Sequence, residues 1–334
     1  MERGLSAPFD QRRLRPLPTL PRSGRGLPHP LIHALQLADK GHPLLTLFIQ
    51  QVLNGLLDGV YYLLIALGLS LIFSLGGIVN LAHGAFYAIG AYLTIVLAPH
   101  IGFGGAIIAS PVLVALIGIV IERGLFQRFY RSDPILSLLL TFGLAMVAEQ
   151  SLRMIFGAPP LSFSIPPALR GQLFIGDFIY SRYRALLILI AAACVLGLWF
   201  LLQRTAFGRV VRAGVQNPDM VGALGISLQP YMMTVAGIGI GLAGLAGVLL
   251  APIYSIHPAM GQEIITPAFV VVVIGGLGSF WGVVVAALMV GLVKGITIGL
   301  GLTQWSTAVI YLMMLLVLLF RPRGLFGERI QRFE

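Results

Sequence analysis

From Leu45 onward, long apolar runs alternate with short polar breaks. The runs lie near 48–75, 81–98, 103–121, 135–156, 184–202, 231–253, 264–280, 282–301 and 305–320. A helix crossing a bilayer needs roughly 20 apolar residues, because every backbone polar group must be satisfied within it. The run at 264–280 carries Pro267 and then GGLGS (275–279), which predicts a broken or re-entrant helix. The pattern therefore predicts an all-α, polytopic transmembrane bundle of eight or nine spans. Composition agrees: 57% of residues are hydrophobic and 10% charged, and the mean hydropathy is +0.93. Soluble domains carry about 25% charged residues, so most of this chain must face lipid.

Charge adds an orientation. The net charge of +10 sits at the ends and in the loops between spans, which argues against a nucleic-acid surface. RTAFGRVVRAGVQNPDMVGALGIS (204–227), ERGLFQRFYRSD (122–133) and RPRGLFGERIQR (321–332) each hold three or four arginines. Span connectivity puts all three on one side, which the positive-inside rule makes the cytoplasm. Residues 1–44 stand apart, with seven Lys/Arg, many prolines and no apolar run long enough for a span or a signal peptide. They are expected to be disordered or untranslated, and without them the charge falls to +6. Counting spans backwards puts this Arg-rich tail outside, against the rule; a spurious tail and a miscount between 48 and 98 both explain that. The expected organisation is thus a membrane domain over 45–322, with a cytoplasmic loop at 204–228, and a C-terminal tail over 323–334. The long outer loop 157–183 is either an ordered cap over the bundle or a plain connector.

No catalytic set is visible. The six histidines are scattered, Cys194 is alone, and no HExxH, GxSxG or phosphate-loop pattern occurs. Ionisable and polar groups within apolar runs are the functional suspects. Asp58 lies in the first span with Asn54 on the same face; Glu149 and Arg153 stand i, i+4 apart and can pair. Lys294 is placed to snorkel to the outer interface. Asn80 can cap a helix starting after Gly76–Gly77; with His83 and Gly84 it either lines the bundle interior or sits at the membrane surface. Gly275, Gly276 and Gly278 of GGLGS loosen a helix and can leave backbone groups lining a cavity. Gly237/Gly241 and Gly291/Gly295/Gly299 have the spacing of close helix contacts.

The loop 204–227 holds more than charge. Arg209, Arg212 and Gln216 fall at i, i+3, i+7, on one helical face. Asn217–Pro218 ends one short helix and can cap a second, with Asp219 in its first turn. Ala223–Gly225 then offers a small-residue packing face. These features predict a compact helix–turn–helix, beyond what a positive-inside anchor requires.

Four stretches together resemble the integral-membrane permeases of bacterial ABC importers for branched-chain amino acids, of the LivH/LivM type and nearer LivH. They are GLSLIFSLGGIVNLAHGAFYAIGAYL (68–93), FGRVVRAGVQNPDMVGALGIS (207–227), GIGLAGLAGVLLAPI (239–253), and VVIGGLGSFWGVVVAALMVGL with LLFRPRGLFG (272–292, 318–327). The resemblance implies a permease at the cell inner membrane, paired with a second, LivM-like permease. It implies two cytoplasmic ATPases that carry the ATP, no cofactor on this chain, and an external substrate-binding protein. It also implies that the loop docks on the ATPase through Gly208, Arg209, Arg212, Ala213, Asn217, Asp219 and Gly225. Urea, short amides or other small polar solutes are alternative substrates. A stand-alone secondary transporter would require inverted repeats and an in-membrane ion site, and neither pattern stands out.

Overall fold

The computed structural model describes residues 41–327 except 78, 130–132 and 176–177. The expected extension over 1–44 therefore lies outside the described residues up to residue 40, while 41–44 are already helical. Ten α-helices occur among the described residues: α1 (Gly41–Gly76), α2 (His83–Gly124), α3 (Pro134–Phe156), α4 (Arg182–Arg204), α5 (Ala206–Gln216), α6 (Pro218–Ala223), α7 (Gln229–Leu250), α8 (Met260–Gly275), α9 (Phe280–Gly299) and α10 (Ser306–Phe320).

Among the described residues, seven helices are long and apolar enough to cross a membrane. One of them, α2, counts twice. Its 42 residues would extend about 63 Å at 1.5 Å per residue, twice a hydrocarbon core. Gly102 breaks it with φ 72° and ψ 166°, a region open chiefly to glycine. The limbs 83–101 and 103–124 match the two apolar runs read from sequence. With the short apolar α8, the apolar helical segments among the described residues number nine. The expected break in the 264–280 run is present, but not at Pro267, which lies inside α8. The break falls later, where Gly276 and Gly278 adopt φ 99° and 83° and Ser279 caps α9 by accepting from Gly282 N at 3.2 Å.

Glycine sets how closely these helices approach. A Cβ on Gly90 of α2 would lie 2.3 Å from Gly244 O of α7, and one on Gly244 would meet Val114 of the other limb at 2.8 Å. Helix α7 is thus packed against both limbs and forms the centre of the core. A second seam joins α1 to α9, with Gly55 and Gly59 facing Gly291 and Gly295 backbone to backbone. The spacing of the α9 glycines predicted such a contact; its partner on α1 is a matching Gly-x-x-x-Gly.

Contacts at the two ends agree with the charge-based sides. Gln229 Nε2 donates to Gln127 Oε1 at 3.0 Å, tying the 122–133 loop to the start of α7. At the opposite end, the described part of the 157–183 loop caps the bundle. Strands β1 (Gln172–Ile175) and β2 (Phe178–Ser181) pair antiparallel, a small departure from the all-α pattern. Leu161 and Ile256 exchange backbone hydrogen bonds of 2.7 and 2.8 Å, and Phe163 stacks on Phe103. Together these pin the cap to the α7–α8 turn and to α2.

Candidate functional site

The loop 204–227 folds as the predicted helix–turn–helix. Thr205 caps α5, its hydroxyl accepting from Gly208 N at 3.2 Å. Asn217 caps α6, accepting from Met220 N at 2.9 Å, and Asp219 stands in the first turn of α6, where the helix dipole favours an anion. Gly225 has φ 77° and Ile226 N bonds back to Val221 O at 3.3 Å, the geometry that terminates a helix on glycine. Phe207 stacks on Tyr231 of α7 with centroids 5.5 Å apart. The elbow is therefore braced at both ends, against α4 and against α7.

The three residues predicted to share one face are split. Arg209, Ala213 and Gln216 are exposed, but Arg212 is only half-exposed and donates to Leu202 O in the last turn of α4. At 100° per residue Arg212 lies about 60° round α5 from Arg209, on the side of Gly208. That side has no room, since a Cβ on Gly208 would lie 2.0 Å from Leu202 O. Arg212 braces the elbow, and Arg209 is the arginine left for a partner. Ala223–Gly225, read as a packing face, is exposed, with Leu224 72% exposed and Met220 58%.

This division has a measurable consequence. Replacing Arg212 with alanine removes a charged donor from a helix C-terminal carbonyl, at a cost of about 1.5–3 kcal/mol. The thermal midpoint of the purified protein is expected to fall. Arg209→Ala is expected to leave that midpoint unchanged.

Within the membrane, Asp58 of α1 meets Lys294 of α9, Oδ2 to Nζ, at 2.7 Å. Lys294 does not snorkel outward as expected; it turns toward the carboxylate. Tyr254 of the α7–α8 turn donates to Asp58 Oδ1 at 3.2 Å, and Lys294 donates to the Tyr62 hydroxyl at 3.3 Å with its charge 5.6 Å from that ring's centre. One turn along α1, Asn54 accepts from Arg184 of α4. The charges are 236 positions apart in sequence. A signal was present nonetheless: Asp58 adjoins Gly59, Lys294 adjoins Gly295, and those glycines join the two helices.

Other candidates have different settings. Glu149 and Arg153 pair at 3.0 Å as predicted, and Gln262 of α8 adds a bond to Glu149 at 2.8 Å. Asn80 does not cap α2; the N-cap is Ala82, because the chain turns once more at Leu81–Ala82 before the helix begins. Asn80 is buried, its amide without a partner among the described residues. His83 is fully buried, its Nε2 3.1 Å from Ile65 O of α1, at a point where Gly68 leaves room for the ring. Gly84 packs on Gly261, where a Cβ would lie 2.1 Å from a carbonyl oxygen. Gly275 and Gly276 receive the C-terminal stretch: Leu325 N bonds Ile274 O at 2.8 Å and Phe326 N bonds Gly275 O at 3.1 Å. Gly278 faces Ser74 of α1.

A family model described as branched-chain amino acid transport system / permease component matches residues 51–318. The chain is 27% identical over 297 residues to the high-affinity branched-chain amino acid transport system permease protein BraD of Pseudomonas aeruginosa, covering 84% of this chain and 96% of that one. It is 27% identical over 301 residues to the corresponding protein LivH of Escherichia coli, with the same coverage. LivM of Escherichia coli is 28% identical over 290 residues, covering 79% of this chain but 67% of its own length. The likeness to LivH extends over nearly its whole length, in keeping with the expected nearness to LivH.

Proposed function

The chain belongs to the branched-chain amino acid transport system / permease component family, and from that premise we propose that it is the permease subunit of an ABC importer in the cell inner membrane. The substrates proposed are branched-chain or related amino acids. The observation that carries this is the family match over 51–318, which contains both the membrane bundle and the elbow. In this reading a second, LivM-like permease completes the path, a substrate-binding protein delivers the solute outside, and two ATPases bind ATP in the cytoplasm. The elbow is the ATPase contact, through Arg209, Ala213, Asn217, Asp219 and the apolar tip beyond them. Its braced ends suit it to pass movement from the ATPase into α4 and α7.

The test is uptake of radiolabelled leucine, isoleucine and valine in cells lacking this chain, against cells in which it is restored. ATP-dependent uptake is expected to fall at least tenfold without it. Uptake unchanged for all three, with loss of uptake of urea or a short amide, would overturn the substrate assignment.

A further inference from the structure

We propose that the Asp58–Lys294 pair is a binding site for the zwitterionic head of an amino acid on its way through the membrane. The proposal rests on the amino-acid reading above and adds where, on this chain, such a solute is held. A zwitterion carries an ammonium and a carboxylate a few ångströms apart. Crossing a low-dielectric region, it needs a partner for each charge. An internal pair of opposite charges supplies both: the ammonium moves onto Asp58, the carboxylate onto Lys294, and no charge is left alone at any stage.

Three observations favour exchange over a permanent latch. Both charged groups lie inside membrane-spanning helices, yet 16% and 20% of their side chains stay accessible, so this chain does not seal the pair off by itself. Each has its own neutral partner besides the other charge. The Tyr254 hydroxyl serves the carboxylate at 3.2 Å, and the Tyr62 hydroxyl and ring serve the ammonium at 3.3 and 5.6 Å. Opening the pair therefore leaves neither ion bare. Finally, Tyr254 is 46% exposed in the α7–α8 turn and meets Tyr61 edge to face at 6.2 Å. These rings offer an apolar wall beside the charges, suited to a branched aliphatic side chain.

A purely structural ion pair behaves differently, and neutralising one or both members separates the cases. Removing one partner of a buried pair leaves an uncompensated charge, whereas replacing both is often tolerated. Asp58→Asn, Lys294→Met and the double variant are placed on the chromosome, and maximal leucine uptake is measured beside the thermal midpoint of the purified importer complex. The single variants are expected to lose stability and to lower uptake at least tenfold. The double variant is expected to recover the stability while uptake stays at least tenfold low, since a neutral pair cannot hold a zwitterion. Recovery of uptake together with stability in the double variant would overturn the site and leave the pair a latch. Wild-type uptake in either single variant would overturn it as well. Deletion of the chain is run alongside. If deletion leaves leucine uptake intact, the substrate reading itself fails and the site falls with it; if deletion abolishes uptake, only the site is being judged.

Discussion

Replacing Gly55 with leucine is expected to leave no correctly folded permease in the membrane. A Cβ at Gly55 would stand 2.4 Å from Gly291 O and 2.6 Å from Gly295 Cα, and one at Gly291 would stand 2.3 Å from Gly55 O. All of these obstacles are backbone atoms, so no side chain can swing aside and the helices themselves must separate. In lipid there is no hydrophobic drive to hold them together; association depends on close packing and weak contacts between backbones. Overpacking a soluble core costs about 1–3 kcal/mol and occasionally more. Here the same displacement also pulls Asp58 away from Lys294 and strands two charges in the membrane. Membrane abundance and the size-exclusion profile in detergent are the readouts, with aggregation and at least a tenfold loss of monodisperse protein expected. Gly197→Ala is the control, because a Cβ there meets nothing within 4 Å. A Gly55→Leu protein that is monodisperse and abundant would show that the α1–α9 seam does not hold the bundle.

What the sequence revealed and what it hid divide along a physical line. Features set by a few neighbouring residues were legible. The apolar runs located every spanning segment, and the gap at 98–103 corresponds to the kink at Gly102. Asn217–Pro218–Asp219 capped α6 as its chemistry requires. Features set by packing between distant segments were not. Lys294 read as a snorkelling residue because its only visible neighbours were on its own helix, and Asp58 is 236 positions away. Periodicity put Arg212 beside Arg209, but the carbonyl of Leu202, which belongs to another helix, drew it inward. GGLGS and the terminal RPRGLFG lie on separate segments of the chain. They are two halves of one contact, with Gly276 leaving room for Gly327 at a hypothetical Cβ distance of 2.6 Å. Asn80 reads as a cap because capping is a local rule, and one further turn of chain moves the helix start beyond its reach.

Leu224→Asp is expected to uncouple the proposed ATPase from the permease while leaving the permease itself intact. Leu224 is 72% exposed at the tip of the elbow, with Met220 at 58% and Ile226 at 36% beside it. The elbow lies outside the spanning helices, so this apolar tip faces water unless a partner covers it. Burying one leucine in a partner's groove is worth about 1.5–3 kcal/mol. An aspartate there forfeits that and adds an unpaired charge, so the combined loss weakens binding by one to several powers of ten, at about 1.4 kcal/mol for each. ATPase recovered with the affinity-purified permease is expected to fall at least tenfold, and ATP-driven uptake with it. Permease abundance and thermal midpoint should stay at wild-type values, because the exposed side chain supports little within its own chain. Leu224→Met keeps the apolar volume and should retain both coupling and uptake. Arg209→Glu should act differently, since an exposed charge at the rim of an interface governs mainly how fast partners meet and how strongly salt weakens them. Its deficit should shrink as ionic strength rises, whereas the Leu224→Asp deficit should persist. Full ATPase recovery with Leu224→Asp would place the contact elsewhere on the cytoplasmic face, and the elbow would then be no more than a braced connection between α4 and α7.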